Sequence, residues 1–597
     1  MIKRIFIIIL FAAPCTLLFG QKKQTGLKKD TGQSKNTGQK KYILTIRVKD
    51  TLAGKGFKLP AYLQKNPSVA GCLHEIQKVL FSLYDEAYLA ASADSVVNDS
   101  TLVTAYITTG RRYEWAYLSK GNADEGVLSE AGYRQKIYMH QPFYYKNVHK
   151  FMDKILVFYE NHGFPFAEVK LDSVKLDTNQ ISASLRVTKN SNEKIDSIVV
   201  KGSLKLAPAY IYGYLGIKPG DIYDESKVRA ISKRLKALPF LYETKPVQVM
   251  FVEDKAKILL YLSKKSADRF NGIVGILPDK TGKITLTGDV SLQLENSFHH
   301  AEQIGFHWQH IQAQTENLTL HFSYPYFFST PLGVDGDLTL FKQDTTYLRV
   351  DSKLGLEYLL IGGNYWKVYY ENITSTLLST SSLQFQSSNL PPYADVSTQL
   401  YGIEYKATEL DYIYNPRRGY EILANAAAGT KIIHQNPKLN PAIYEGLKLH
   451  SNEYKVNIKA DCYIPFFSRS AFKLGLQGGY IDAPSLLLND LYRIGGFAVL
   501  RGFDEQSIYA SAYSVGTVEF HYLLEQNSYM FLFFDQGWYQ ENTDLLSVHD
   551  TPYGFGAGMS FQTKAGIFSI DYALGKQHSN LVNFRDGKIN FGIASYF

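Results

Sequence analysis

Apolar and polar positions alternate through the C-terminal half of the chain, from about Asp268 onward, in segments of about ten residues. In the segment YGFGAGMSF, for example, Tyr553, Phe555 and Phe561 fall on one face of an extended strand, and the glycines fall on the other. About sixteen such segments follow one another. The pattern predicts an antiparallel sheet of about 16 strands, and an even number of strands lets a barrel close with both ends of the sheet on one side.

The predicted barrel, residues 266–597, is expected to span a membrane. After the first twenty residues no segment offers about 18 continuous apolar residues, so a chain embedded in a membrane would have to form a closed barrel. The 44 Tyr and 35 Phe of the chain suit the aromatic girdles of outer-membrane barrels. A soluble β-sandwich or propeller would alternate in the same way, but it would not require so many aromatic residues.

Between residues 42 and 265 the pattern changes to helices interleaved with short strands, and it recurs about every 75 residues. The clearest copy lies at residues 192–265, where a strand, helices with apolar residues at helical spacing, and two further strands follow one another. Earlier copies are expected at residues 42–110, the least regular, and at residues 111–191, where the pattern predicts a single helix at VHKFMDKILVFYENHG. The sequence therefore predicts three N-terminal α+β repeats before the barrel.

The first 41 residues show neither pattern. Two basic residues precede a short apolar run, so residues 1–20 are predicted to be a secretory signal peptide, with lipidation at Cys15 as the alternative. Residues 21–41 are rich in Lys, Gln, Gly and Thr, and they are predicted to be a flexible basic linker. This linker is either a plain spacer or a contact for anionic lipid or peptidoglycan.

The formal net charge of +8 is confined to these N-terminal segments. Residues 1–20 carry +2 and residues 21–41 carry +6, so the rest of the chain is neutral. A neutral body is a poor electrostatic partner for nucleic acid. Cys72 and Cys462 fall in different predicted domains and have no metal-ligand spacing, so neither a disulfide nor a metal site is expected from them.

A connection of roughly thirty residues, from about Asp482 to Ser511, separates the eleventh and twelfth predicted strands and contains GGFAVLRGFDEQ. Loops of this length are usually functional or disordered, and glycines around bulky residues favour a folded turn. Arg501 lies in this loop, whereas Glu519 and Asp535 lie on the strands that follow. Because a carboxylate on the lipid face is destabilising, both are expected to face the lumen. Arg501 could then pair with either one and pin the loop to the wall.

The motif LRGF, formed by Leu500, Arg501, Gly502 and Phe503, follows a glycine-rich approach and precedes the strands with the two acids. GIKPGDIYDESKV and FYENHGFPFAEV lie in the repeats, YPYFFSTPLG and DYIYNPRRGYE lie in the barrel, and Phe597 is the last residue. Together these segments resemble the outer-membrane protein assembly superfamily of BamA and TamA, which joins POTRA modules to a bacterial surface antigen barrel. The resemblance covers nearly the whole mature chain.

The resemblance implies a factor that assembles, inserts or translocates proteins at the bacterial outer membrane, with POTRA modules in the periplasm. Its expected partners are unfolded outer-membrane or secreted client proteins, outer-membrane lipid, and accessory periplasmic or lipoprotein subunits. The implied mechanism is a lateral seam between the first and last barrel strands. The first strand contains Gly272 and Gly275 and should pair weakly with the last strand, which carries Phe591 and Phe597. A client strand could add to the exposed edge, and POTRA sheet edges could bind clients in the same way.

Two other functions stay open. A two-partner secretion transporter has the same barrel and loop but usually has two POTRA modules and an N-terminal plug helix, and residues 21–41 lack a helical apolar stripe. A passive porin or adhesin would not need the repeats.

Neither catalysis nor a cofactor is expected, because the sequence has no phosphate-binding glycine loop, metalloprotease motif or nucleophile elbow. His299, His300, His307 and His310 lie close in sequence. Within each pair the odd separation places them on opposite faces of a strand, so no metal site is expected either.

Overall fold

The computed structural model describes residues 41–50, 52, 57–278, 284–312, 315–379, 392–412, 415–497, 499–544, 546–563, 566–578, 582, 584 and 587–596. The predicted signal peptide and all but the last residue of the predicted linker lie outside the described residues. The chain divides into two compact units, residues 1–151 with 171–185 and residues 152–170 with 186–597. None of the helices in the described part is long and apolar enough to cross a membrane.

The first repeat contains a four-stranded sheet and one helix. Its elements are β1 (Tyr42–Val48), β2 (Lys65–Asn66), α1 (Val69–Asp85), β3 (Ser92–Asp99) and β4 (Leu102–Thr108). The sheet has the order β2-β1-β4-β3, and β1 runs parallel to β4. Helix α1 begins where Ser68 Oγ accepts a hydrogen bond from Gly71 N at 3.1 Å. Its apolar face packs Ile76 and Leu83 into the core against Leu44 of the sheet.

The second repeat has more helices than the single one that the sequence pattern predicts. Its elements are β5 (Glu114–Ser119), α2 (Glu125–Ala131), α3 (Gln135–Tyr138), α4 (Tyr145–Glu160), β6 (Glu168–Asp177) and β7 (Gln180–Thr188). The sheet order is β5-β7-β6. Helices α2 and α3 have seven and four residues, which is too short for a helical period to stand out in the sequence. Helix α2 ends at Gly132, whose φ of 85° suits the left-handed cap.

The third repeat shows the predicted order of strand, helices and two strands. Its elements are β8 (Lys194–Lys201), α5 (Pro208–Leu215), α6 (Glu225–Lys236), β9 (Leu241–Val252) and β10 (Lys255–Lys264). Strand β10 lies in the middle, parallel to β8 and antiparallel to β9. Asp224 caps α6, because its carboxylate accepts hydrogen bonds from Ser226 N at 2.9 Å and Lys227 N at 3.2 Å. The apolar face of α6 is buried in the core of the repeat.

The remaining strands begin at Arg269. They are β11 (Arg269–Pro278), β12 (Ile284–Glu295), β13 (Gln303–Gln312), β14 (Thr315–Tyr324), β15 (Leu332–Gln343), β16 (Tyr347–Leu359), β17 (Tyr365–Leu377), β18 (Asp395–Leu410), β19 (Gly419–His434), β20 (His450–Phe467), β21 (Ser470–Asp482), β22 (Tyr492–Ile494), β23 (Ile508–Ala510), β24 (Ala512–Glu525), β25 (Ser528–Asn542), β26 (Ser547–Asp550), β27 (Tyr553–Thr563), β28 (Gly566–Lys576) and β29 (Lys588–Tyr596). All except β22 and β23 belong to one antiparallel barrel sheet, in which the short β26 pairs with the end of β25. The predicted fold, repeats followed by a barrel of about 16 strands, is confirmed.

Alternation along β24 separates an outer apolar face from an inner polar one. On β24, Val518 and Tyr522 are exposed on the outside, whereas Glu519 and His521 are buried. A strand that faces lipid on one side and a polar interior on the other requires this arrangement. The inner wall can therefore carry charged residues, provided that they find partners there.

Candidate functional site

The long connection between β21 and β24 folds into a small structure of its own. Strands β22 and β23 pair antiparallel within it. Gly495 and Gly496 have φ values of 108° and 95°, which favour glycine, and Gly496 N donates a hydrogen bond to Leu500 O at 3.0 Å. Leu500 is fully buried in a cluster with Ile494 and Ile508. The connection is thus an ordered loop that presents the next residue, Arg501, to the wall.

Arg501 is only 9% exposed and binds both predicted acids. Its Nε and Nη2 donate to Asp535 Oδ2 and Oδ1 at 2.8 and 2.7 Å, and its Nη1 donates to Glu519 Oε2 at 2.7 Å. Its backbone N also donates to Asp535 Oδ2 at 3.2 Å. The sequence predicts a pair with either carboxylate. The planar guanidinium has enough donors to hold both at once.

Neighbouring side chains hold the carboxylates of Asp535 and Glu519 in place. Thr517 Oγ1 donates to Asp535 Oδ1 at 2.8 Å, and His521 Nε2 lies 2.5 Å from Glu519 Oε1. The ring of Phe533 lies beneath the guanidinium, with its centroid 3.6 Å from Arg501 Cζ. The cluster therefore fastens the loop to the inner faces of β24 and β25.

The loop backbone also lies directly on β27 and β28. Gly502 has a φ of 91°, and a Cβ added there would lie 2.5 Å from the carbonyl carbon of Leu574. A Cβ on Gly554 would lie 1.9 Å from Arg501 O, and one on Gly575 would lie 2.9 Å from the ring of Phe503. Within YGFGAGMSF, Gly554 therefore lies against the loop, whereas a Cβ on Gly556 or Gly558 would meet the ring of Phe533 or Phe531.

The same connection is attached at a second place, which our sequence reasoning missed. Lys431 on β19 is almost fully buried and forms an ion pair with Asp490 of the loop. Asn489 Nδ2 donates to Ser375 Oγ at 2.8 Å and to Ala394 O at 2.9 Å. A lysine on the inner face of a barrel strand indicates an acidic partner, but the sequence does not show which acid it binds. The loop is thus also fastened to the barrel at β17 and β19, away from the Arg501 cluster.

The junction between the first and the last strand is short. Among the described residues, Arg269↔Tyr596 and Phe270↔Ser595 are the pairs that join β11 to β29. In the same register, residues 272–277 would face residues 588–593, yet within the described part of the chain these pair only with β12 and β28. The barrel is closed in topology, but this junction has far less pairing than any other between consecutive long strands.

The residues predicted for the seam are only partly brought together. Gly272 and Gly275 lie on β11 and are paired with β12. Phe591 lies on β29 with its side chain exposed. Phe597 lies outside the described residues.

Comparison with known families decides where this architecture belongs. The Omp85 superfamily domain matches residues 296–597, and the surface antigen variable number repeat, the POTRA module, matches residues 193–264. The chain belongs to the Omp85 superfamily. The resemblance to the outer-membrane assembly superfamily is therefore confirmed. Barrel proteins of the Omp85 superfamily lie in the outer membrane with periplasmic POTRA modules, and they insert or translocate proteins.

Solved structures are similar to this Omp85 chain at low identity. CdiB from Escherichia coli is 13% identical, with 88% of this chain and 97% of that chain covered and a TM-score of 0.51. BamA from Haemophilus ducreyi lacking POTRA domains 1-3 is 15% identical, with 81% and 100% covered and a TM-score of 0.44. No curated protein matched the sequence. At these identities the CdiB likeness concerns the fold alone.

The lumen of the Omp85 barrel also holds a cluster that the sequence did not reveal. His321, Asp335 and Asp337 each offer one possible metal-ligand atom, and these atoms lie within 4.8 Å of one another. However, Lys367 Nζ lies 2.8 Å from Asp335 Oδ1 and 2.7 Å from Glu404 Oε1. The ammonium group therefore already neutralises one of the ligands, which favours a network of paired charges over a metal site.

Proposed function

We propose that the protein inserts or assembles outer-membrane proteins by opening the junction of β11 and β29 to a client strand. The observation that supports this most is the limited pairing there, Arg269↔Tyr596 and Phe270↔Ser595. Unpaired backbone N–H and C=O groups are costly inside a bilayer. An incoming strand that pairs with residues 272–277 or 588–593 would satisfy these groups, which is β-augmentation at a membrane edge.

The loop has a supporting role in this proposal. Its Arg501 cluster stabilises β24 and β25, and its backbone lies on β27 and β28. Strand β28 is paired with β29 along residues 588–594. One side of the junction is therefore backed by a braced wall, and opening would separate β11 from β29 without loosening the strands behind β29.

The POTRA modules would deliver clients to the junction. Strand β3 lies at the edge of the first sheet and β9 at the edge of the third. On β3, Val96 and Val97 are exposed. An unfolded outer-membrane protein could add a strand to such an edge through main-chain hydrogen bonds before it reaches the barrel.

A reversible crosslink tests the proposal. In a background with Cys72→Ser and Cys462→Ser, the pair Val274→Cys and Phe591→Cys would face each other if the junction zipped in its present register. The matched control, Val274→Cys with Gly288→Cys, crosslinks β11 to β12, which are already paired. We expect the oxidised junction variant to lose insertion of a client barrel into lipid vesicles and to regain it after reduction. The control should insert clients in both states.

Full insertion by the oxidised junction variant, with crosslinking verified by electrophoresis, would contradict the proposal. Loss of insertion in the control as well would show that any crosslink on β11 blocks the protein, and the junction would then have no special role.

A two-partner-secretion-type transporter is the second candidate, favoured by the fold likeness to CdiB from Escherichia coli. The two candidates differ in what is lost when the protein is depleted from cells. Loss of many outer-membrane barrels from the membrane proteome supports the insertion factor. Loss of a single secreted cargo, with the other barrels unchanged, supports the transporter.

A further inference from the structure

The turn between β14 and β15 has an unusual backbone. Tyr326, Phe328 and Ser329 have φ values of 53°, 51° and 60°, although none of them is glycine. Residues other than glycine adopt such positive φ values only where their surroundings favour them. The side chains of this turn should therefore have roles that outweigh the backbone strain.

Tyr326 docks on the third POTRA module. Its ring lies edge-on to the ring of Tyr210 on α5, with the centroids 5.4 Å apart. A Cβ on Gly213 of the same helix would lie 2.1 Å from the ring of Tyr326, so only glycine leaves room for it. Tyr326 is almost completely buried by these contacts. The turn is thus joined to α5.

Phe328 remains exposed at 85%. Its ring lies 4.2 Å from that of Phe327, which in turn lies 5.9 Å from the ring of Tyr324 at the end of β14. Further along β14, Leu320 and Phe322 are exposed on the outer face of the barrel. The apolar outer stripe of this strand therefore continues onto the turn instead of ending where the strand ends.

The turn between β20 and β21 lies at the same end of the barrel and repeats the sequence FFS. There Phe467 is 68% exposed, and the ring of Phe466 lies 5.3 Å from that of Phe472 on the next strand. Arg417 Nη2 donates to Ser468 O at 2.7 Å, which places a guanidinium beside the exposed rings. Aromatic and basic side chains together suit the boundary of a phospholipid leaflet.

We propose that Phe328 and Phe467 insert into the membrane leaflet at the barrel end where the third POTRA module docks. The partner is the phospholipid boundary between headgroups and acyl chains, because the rings extend the lipid-facing surface of the barrel. Tyr326 and Phe328 are separated by one residue, so the β14–β15 turn links helix α5 to the lipid. The depth of the turn in the leaflet then restrains the third module.

Fluorescence quenching tests the lipid contact in the full-length protein, reconstituted into vesicles of phosphatidylethanolamine and phosphatidylglycerol. An environment-sensitive fluorophore is attached to Phe328→Cys or Phe467→Cys in the background with Cys72→Ser and Cys462→Ser. The control label is on Lys218→Cys, an exposed position of the third module. We expect lipids with a nitroxide high on the acyl chain to quench the labels at 328 and 467 several-fold more than the label at 218.

Equal quenching at 328 and 218 would overturn the proposal. The proposal would also be overturned if the label at 328 were shielded from solvent in native envelopes but not in vesicles that contain no other protein. The partner would then be a protein.

Hydrogen exchange tests the link to α5. Phe328→Ser should speed exchange of the α5 amides in vesicles several-fold, whereas Phe328→Leu, which keeps an apolar side chain, should not. Both variants keep Tyr326, so its contact with Gly213 is not removed. Unchanged exchange in a folded Phe328→Ser protein would show that the lipid contact does not restrain the module.

Discussion

Two parts of the barrel that are close in the strand order are built in opposite ways. One is the wall formed by β24 to β28, and the other is the junction between β11 and β29. The wall is paired throughout and carries a loop held by Arg501, Asp535 and Glu519. The junction is joined at Arg269 and Phe270. Under the proposed mechanism the barrel would open sideways where the pairing is least. The loop would then keep the opening at the junction by stiffening the strands beside it.

Removal of the loop cation should have the largest effect on this contrast. Arg501→Ala leaves the buried carboxylates of Asp535 and Glu519 without their counter-charge, so we expect a loss of about 3–5 kcal/mol in the free energy of unfolding. Arg501→Lys keeps the charge but not the planar fork and should lose less. Denaturant unfolding in lipid vesicles measures both. An Arg501→Ala protein as stable as the wild type would mean that the loop does not brace the wall.

A steric change should act on the same wall without altering any charge. Gly554→Ala places a methyl group 1.9 Å from the present position of Arg501 O, so the loop must shift, at a cost of about 1–3 kcal/mol. Gly516→Ala on β24 is the matched control, because its Cβ would meet no atom within 4 Å. Gly554→Ala should unfold more easily than Gly516→Ala, and its loop should be cleaved faster by protease. If the two variants unfolded and were cleaved alike, the close approach of Arg501 O to Gly554 would be contradicted.

The second attachment of the loop should contribute less. Asn489→Ala removes the hydrogen bonds to Ser375 and Ala394 and should cost about 1 kcal/mol. We expect faster hydrogen exchange of the loop amides near residue 489 and unchanged exchange near Arg501. Faster exchange at both places would show that the loop is one cooperative unit, and that its attachments do not act independently.

The ion pair that reaches across to the last strand should contribute least. Lys588 Nζ lies 2.6 Å from Asp504 Oδ1, but the side chains are 37% and 73% exposed. Such pairs contribute less than about 1 kcal/mol, so Lys588→Ala should leave the unfolding curve unchanged. A clearly destabilised Lys588→Ala protein would mean that the loop holds β29 directly. The braced wall would then extend to the junction, and the two would differ less.

Local patterns made much of this architecture predictable from the sequence. Alternation depends on neighbouring residues, so it revealed the barrel strands, and the cost of a carboxylate in lipid placed Glu519 and Asp535 inside. The same reasoning could not show which of these two acids Arg501 binds, because that depends on where the loop backbone lies. The short helices α2 and α3 were missed because the tertiary context, not a long apolar period, determines them.

Contacts between distant parts of the chain were not predictable. The partner of Lys431 depends on the path of a loop that no local pattern specifies. The docking of Tyr326 on Gly213 joins a barrel turn to a POTRA helix, and neither residue stands out in its own segment. The pairing of β11 with β29 has no hairpin turn to set its register, so the sequence suggested a weak junction but not its length.

Hydrogen exchange of individual amides in vesicles tests the central claim most directly. We predict that the amides of residues 272–277 and 588–593 that point across the junction exchange nearly as fast as unprotected ones. The amides of β18 and β19, paired from Asp395↔His434 to Leu410↔Gly419, should be strongly protected. Equal protection across the junction and in β18 and β19 would show that the barrel is evenly zipped, and the account of a lateral opening would be wrong.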